Sequence, residues 1–153
     1  MKKILMLLAT SILGAGYMMA QDLRESQVPE SVRQGFKNKY GGSYVYEWEY
    51  KRKAKEYEAE FMLNGEKYDA YFSTSGQWLR SERDIRRNEV PEAVYAAVRN
   101  SEYGRWEIDD IELVETPEHP ILYQVEVESP TSGRERYLWI TPSGEIVRNV
   151  AHK

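Results

Sequence analysis

Cysteine is absent from the 153 residues and histidine occurs twice. A chain without thiols builds no disulfide scaffold, no thiolate zinc site and no cysteine nucleophile. His119, between Glu118 and Pro120, reads as a solvated loop residue, and His152 is next to last. Neither belongs to a His-x₃-His or HExxH spacing, so no transition-metal site is expected. No Gly-x-Ser-x-Gly elbow occurs, since Thr74-Ser75-Gly76-Gln77 and Pro142-Ser143-Gly144-Glu145 read as turns. The glycines fall in turns and helix ends rather than in a phosphate-cradling loop. No apolar run reaches the ~18–20 residues of a membrane-spanning helix. The sequence therefore predicts no catalytic machinery, no metal and no cofactor.

What it does have begins with an address label. Lys2 and Lys3 precede the apolar stretch 4–13, small residues follow, and Ala20 stands before the polar Gln21. This is the pattern of a cleavable secretory signal over residues 1–20, with the cut near Ala20. Met18 at the third position before the cut is larger than usual, and the cysteine of a lipoprotein is missing. The expected location is periplasmic or secreted, with no membrane insertion after cleavage. Removing residues 1–20 takes away two lysines and no acid, so 133 residues remain with 19 basic and 25 acidic groups, net -6. A nucleic-acid partner is excluded by that balance, because phosphate binding needs a basic footprint.

The mature chain is written twice. Val28-Pro29-Glu30-Ser31-Val32 recurs as Val90-Pro91-Glu92-Ala93-Val94, which predicts helices over 29–40 and 91–102, each opened by proline. Val32, Phe36 and Tyr40 form one apolar stripe; Val94, Val98 and Tyr103 approximate another. Gly41-Gly42 and Gly104 are read as the helix ends. Alternating segments follow: 44–50, then Tyr57-Glu58-Ala59-Glu60-Phe61, matched by Trp106-Glu107-Ile108 and Tyr123-Gln124-Val125-Glu126-Val127. Period-2 alternation predicts strands with one buried face. Asn64-Gly65 signals a two-residue hairpin, and its counterpart 129–133 is a longer turn. The last hairpins agree best, 71–80 against 139–148, sharing Ser-Gly and a closing arginine. The fold expected is α+β, a tandem repeat of a helix plus a four-stranded antiparallel meander. Residues 21–87 and 88–153 are the two repeats, and 83–89 is read as the linker. One such unit is marginal alone, so the two are expected to share a core or join sheets.

These residues carry a family resemblance. The Val-Pro-Glu helix starts, the Trp48-Glu49 and Trp106-Glu107 strand starts, the Tyr57 and Tyr123 strands and the final Ser-Gly hairpins resemble the PepSY-like family of exported bacterial proteins. That family is similar in structure to the β-lactamase inhibitor protein. The resemblance spans about 28–150 and implies a non-catalytic exported domain of a superfamily that binds or restrains other proteins, often peptidases. No inhibitory loop residue carries over, because no motif here marks one.

Among candidate chemical groups, the strand pairs Glu58/Glu60 and Glu126/Glu128 have glycosidase-like spacing, but alternating glutamates on a wet strand serve solubility. Asp109-Asp110 with Glu112 lacks a loop that would gather enough oxygens for calcium. Aromatics weigh more: fifteen Tyr and Trp remain in the mature chain. If Phe72 and Ile140 face a helix, parity sends Tyr71, Tyr137 and Trp139 to the opposite, helix-free face. Trp78 joins them if the last strand keeps register across its turn. Exposed aromatics on a polar sheet are what binding surfaces enrich, so Tyr71, Trp78, Tyr137 and Trp139 are the candidate binding residues. Tyr44, Tyr46, Trp48 and Tyr50 are read as sharing one face, with the sequence leaving open which is buried. Charge is uneven: residues 22–89 balance, whereas 90–153 hold 6 basic and 12 acidic groups. Lys51-Arg52-Lys53-x-Lys55 makes a basic hairpin tip suited to an acidic partner. The expectation is a binding module that takes a protein or peptide on its open sheet face, possible targets including an envelope enzyme or peptidase. The rival reading is a periplasmic sensing or carrier domain for a small molecule or glycan fragment. Partner identity and oligomeric state stay open.

Overall fold

The computed structural model describes residues 21–147. The signal sequence, Arg148 and His152 lie outside the described residues. In chain order the elements are β1 (Gln21–Leu23), α1 (Glu30–Tyr40), β2 (Val45–Lys51), β3 (Glu56–Leu63), β4 (Glu66–Ser73) and β5 (Trp78–Asp84). Then come α2 (Glu92–Asn100), β6 (Glu107–Glu115), β7 (Leu122–Glu128), β8 (Glu135–Ile140) and β9 (Ile146–Val147). The nine strands of the described residues form one antiparallel sheet in sequential order, β1 to β9. The two runs of strands join through β5 and β6, where Glu82 pairs with Val114. β5 thus extends into the segment read as a linker, whose remainder closes as a 3-10 turn over Arg87–Glu89.

Both helices lie on one face of this sheet. α1 buries Val32 and Phe36 against Trp48, Ala59, Phe61, Ala70 and Phe72. α2 buries Val94 and Val98 against Ile111, Val125, Val127, Leu138 and Ile140. The two cores are separate clusters, so it is the continuous sheet that unites the halves. Pro29 and Pro91 stand at the N-caps, one residue outside the helices, where a missing N–H costs nothing. Gly41, at φ 66, caps α1 as expected, but α2 stops at Ser101 and Gly104 lies beyond it in the following turn.

The Ser-Gly hairpins have a packing reason. Gly76 sits at φ +85, and a Cβ there would lie 2.1 Å from the Ser31 carbonyl oxygen. Gly144, at φ +87, approaches the Ala93 carbonyl oxygen in the same way, at 2.7 Å. Each hairpin therefore presses its backbone onto the first turn of a helix, a contact only glycine permits in that conformation. Asn64 and Gly65 both have positive φ, 53 and 85, as their two-residue hairpin requires.

Candidate functional site

The helices cover one face of the sheet and leave the other without a covering layer. Pairing register assigns the side chains of that helix-free face strand by strand. Glu49, Glu58, Tyr71 and Arg80 lie in one row across β2 to β5, and Glu47, Glu60, Asp69 and Glu82 in the next. On β6 to β8 the corresponding rows are Glu112, Gln124, Trp139 and Asp110, Glu126, Tyr137.

The N-terminal half of this face is a closed ionic network. Tyr71 donates its hydroxyl to Glu58 Oε1 at 2.5 Å. Lys51 bridges Glu49, at 2.5 Å, and Glu58. The Arg80 guanidinium pairs with Glu56 at 2.7 Å and Glu82 at 2.9 Å, and lies 3.7 Å over the Tyr71 ring. Glu58, Tyr71, Arg80 and Glu82 are all buried. Burial, then the Glu82 and Glu58 charges, push the Tyr71 phenol far up, so it stays a donor at any physiological pH. For Arg80 burial favours the neutral form, but Glu82 and Glu56 outweigh it and hold the cation more firmly than usual. Further along, Lys67 reaches Glu60 at 2.6 Å and Asp69 at 3.7 Å. Asp69 is pushed up to about 6, chiefly by burial, with Lys67 opposing and Glu58, Glu60 and Glu82 adding.

The C-terminal half is built differently. Val114, Leu122 and Trp139 make a small apolar cluster with Val147 beside them. Next to it Asp110, Glu112, Gln124, Glu126 and Tyr137 line a polar cleft of about 70 Å³. Gln124 donates to Glu112 at 2.6 Å, and the Tyr137 hydroxyl to Glu126 at 3.1 Å. Glu126 is raised above the ordinary carboxylate range by burial, with the Tyr137 hydroxyl opposing and Glu135, Asp109 and Asp110 adding.

Of the four aromatics singled out by parity, Tyr71, Tyr137 and Trp139 take the helix-free face, but they are not equally accessible. Tyr71 is 5% exposed and Trp139 7%, while Tyr137 is 41% exposed. The expectation that all would be exposed is corrected: in a crowded sheet face, flanking charged and apolar side chains cover ring surface without any helix. Trp78 is on the other side altogether. A bulge at Tyr71/Phe72 sets it opposite Phe72, its indole N–H donates to Ser81 Oγ at 2.8 Å, and the Lys39 ammonium lies 3.7 Å over its ring. The 44–50 segment is also divided by a bulge, between Val45 and Glu47. Trp48 is buried toward α1 whereas Tyr44 and Tyr46 are exposed. The basic tip at 52–55 forms the β2–β3 turn, with Lys51 drawn back into the ionic network. His119 is a loop residue held to Thr116 through its backbone.

The position of Arg80 at the centre of the buried network is what sequence reading missed. Period-2 spacing would send Arg80 to the same face as Trp78, and the bulge that puts it beside Tyr71 instead is not written in the hydropathy pattern. No helix among the described residues is long and apolar enough to cross a membrane.

Comparisons with known proteins agree with this architecture. No curated protein matches the chain significantly. Among solved structures, a DUF2874 family protein from Bacteroides uniformis ATCC 8492 shares 30% identity at a TM-score of 0.62, covering 78% of this chain and 86% of that one. A protein from Bacteroides eggerthii DSM 20697, provisionally described as periplasmic, shares 26% at 0.61, with coverages of 79% and 86%. A BLIP-like protein from Bacteroides fragilis NCTC 9343 shares the fold, at 24% identity and 0.60, with coverages of 78% and 83%. The family model described as beta-lactamase-inhibitor-like, PepSY-like matches residues 17–66 and 55–147. The chain belongs to the PepSY-like family.

Proposed function

We propose that this protein is an exported, non-catalytic binding module that engages a protein or peptide through the helix-free face of its sheet. The observation that carries the reading is the asymmetry of the sheet. One face is sealed by two helices over apolar cores, and the other presents a polar cleft with the half-exposed Tyr137 on its wall. Tyrosine at the rim of a desolvated patch is a favoured anchor, because it offers large area and a polar handle at low entropic cost. In this reading Tyr137 touches the partner, while Tyr71 and Trp139 stiffen the surface from beneath. Family membership and the likeness to a BLIP-like structure support occlusion rather than chemistry as the mode of action.

The lysine-rich start followed by an apolar stretch supports export with cleavage near Ala20. The matching helix-plus-strands order and the paired Ser-Gly contacts support descent from one duplicated unit.

A photo-crosslinking residue at position 137, compared with one at exposed Lys37 on α1, tests the proposal in the native cell. Adducts to one protein at 137 and none at 37 are the expected result. Adducts at 37 alone would overturn it.

A further inference from the structure

The basic β2–β3 turn is a feature that the helix-free face does not account for. β2 and β3 make their last pair at Lys51 and Glu56, and residues 52–55 connect them. The Lys55 N–H closes the turn by donating to the Lys51 carbonyl oxygen at 2.8 Å. Closure in this way puts Lys55 at φ 59, in the left-handed region. Among the described residues Asn64 is the one other non-glycine residue with positive φ, and asparagine tolerates that region. Lysine is strained there because its Cβ crowds the backbone, and glycine is the ordinary solution at such a place in a hairpin. The strain persists at a position where a smaller residue would relieve it, and outliers of this kind cluster at binding sites.

The cations of this turn are not all used by the fold. Lys51 is drawn back to Glu49 and Glu58, and Arg52 interacts within the chain. Lys53 and Lys55 are exposed and have no ion-pair partner among the described residues. The carboxylates next along the chain are already engaged, Glu56 by Arg80 and Glu58 by Lys51 and Tyr71. The connection between β6 and β7, the corresponding place in the second half, carries no lysine or arginine from Thr116 to Ile121. The cations therefore belong to this one turn and not to the plan the two halves share.

We propose that Lys53 and Lys55 form a docking point for an extended acidic segment of a partner protein, one with carboxylates at alternate residues. Alternate side chains of an extended chain point the same way at a spacing of about 7 Å, so a Glu-x-Glu run offers two carboxylates to the two ammoniums. An anionic bilayer fits less well. Polybasic clusters that hold one carry about 4–8 cations, and the mature chain is net acidic. A short acidic segment responds to the local field, which two exposed ammoniums on one turn supply. The turn and Tyr137 lie in different halves of the chain, so this docking point does not depend on the helix-free face being a binding surface.

The test uses mature protein and a fluorescein-labelled Gly-Glu-Gly-Glu-Gly-Glu peptide, with a glutamine-for-glutamate peptide as its neutral counterpart. Anisotropy should rise with the glutamate peptide only, and affinity should fall about fivefold or more between low and physiological salt. The double variant Lys53→Gln/Lys55→Gln should weaken binding at least about tenfold, and Lys37→Gln at an exposed site on α1 should change it less than about twofold. Lys55→Gly separates the docking role from a structural one. It should weaken peptide binding and raise the melting temperature by about 2 °C or more, because glycine adopts positive φ without strain. Equal binding of the glutamine peptide, equal loss from Lys37→Gln and the double variant, or a lower melting temperature for Lys55→Gly would overturn the proposal. Sedimentation with phosphatidylglycerol vesicles that is lost in the double variant, without binding of the glutamate peptide, would overturn it in favour of a membrane surface.

Discussion

The two halves of the helix-free face solve one electrostatic problem in opposite ways. On β2 to β5, carboxylates two residues apart are neutralised internally, Glu58 by Lys51 and Tyr71, Glu56 and Glu82 by Arg80, Glu60 by Lys67. On β6 to β8 Glu112 accepts from Gln124 and Glu126 from Tyr137, beside an apolar cluster around Trp139. Buried charge is tolerated only when paired and hydrogen-bonded. The first half is therefore neutralised by cations of its own strands, and the second meets its carboxylates with amide and phenol donors. Composition differs in the same direction: the excess of acid lies in residues 90–153.

The comparison breaks first at the buried centre of each half. Arg80→Met should cost about 3–5 kcal/mol, because Glu82 and Glu56 would then sit without their counter-ion. In the C-terminal half the matching loss comes from packing: Trp139→Ala should cost about 3–5 kcal/mol, since the ring is nearly inaccessible and its removal leaves a cavity. Urea unfolding of both variants checks the pair, and a loss under about 1 kcal/mol in either case would show that half to be solvated.

An effect of intermediate size belongs to Asp69. Its folded value near 6 lies above the ordinary aspartate value, so the native state binds the proton more tightly than the unfolded chain. The sign follows: this group's contribution favours folding at low pH and is lost as pH rises from about 4 to 6, amounting to ~2–3 kcal/mol. Comparing wild type with Asp69→Asn over that range isolates it. The variant should gain on the wild type as pH rises, and parallel curves would contradict the assignment.

The smallest stability effects are expected where function is proposed. Tyr137→Ala and Glu126→Gln should each shift stability by less than about 1 kcal/mol, because the ring is half exposed and its hydroxyl meets the carboxylate at a long 3.1 Å. Glu135→Lys should be neutral or slightly stabilising, by a few tenths of a kcal/mol, through cross-strand pairing with Glu128. Thermal unfolding resolves all three. A loss of several kcal/mol from any one would make it structural.

Much of the fold was legible because its cues are local. The Val-Pro-Glu starts, the Asn64-Gly65 hairpin and the odd-even alternation of residues 57–61 each encode their geometry within a few residues. The shared face of Tyr71, Tyr137 and Trp139 followed from the same parity. What parity does not contain is a bulge. The irregularities at Tyr71/Phe72 and Val45/Glu47 moved Trp78 to the helical side and divided the 44–50 aromatics. Accessibility was illegible for another reason: whether Tyr71 is covered depends on Arg80 stacking across a strand pair, which no single-strand pattern records. The cleft emerges only when β6, β7 and β8 are aligned, since its residues are far apart in sequence.

Photo-crosslinking in the native cell from position 137 on β8 and from position 47 on β2 tests the contrast between the halves most directly. Adducts to one protein at 137 and none at 47 are expected. Equal adducts at both positions, or adducts at 47 alone, would contradict it.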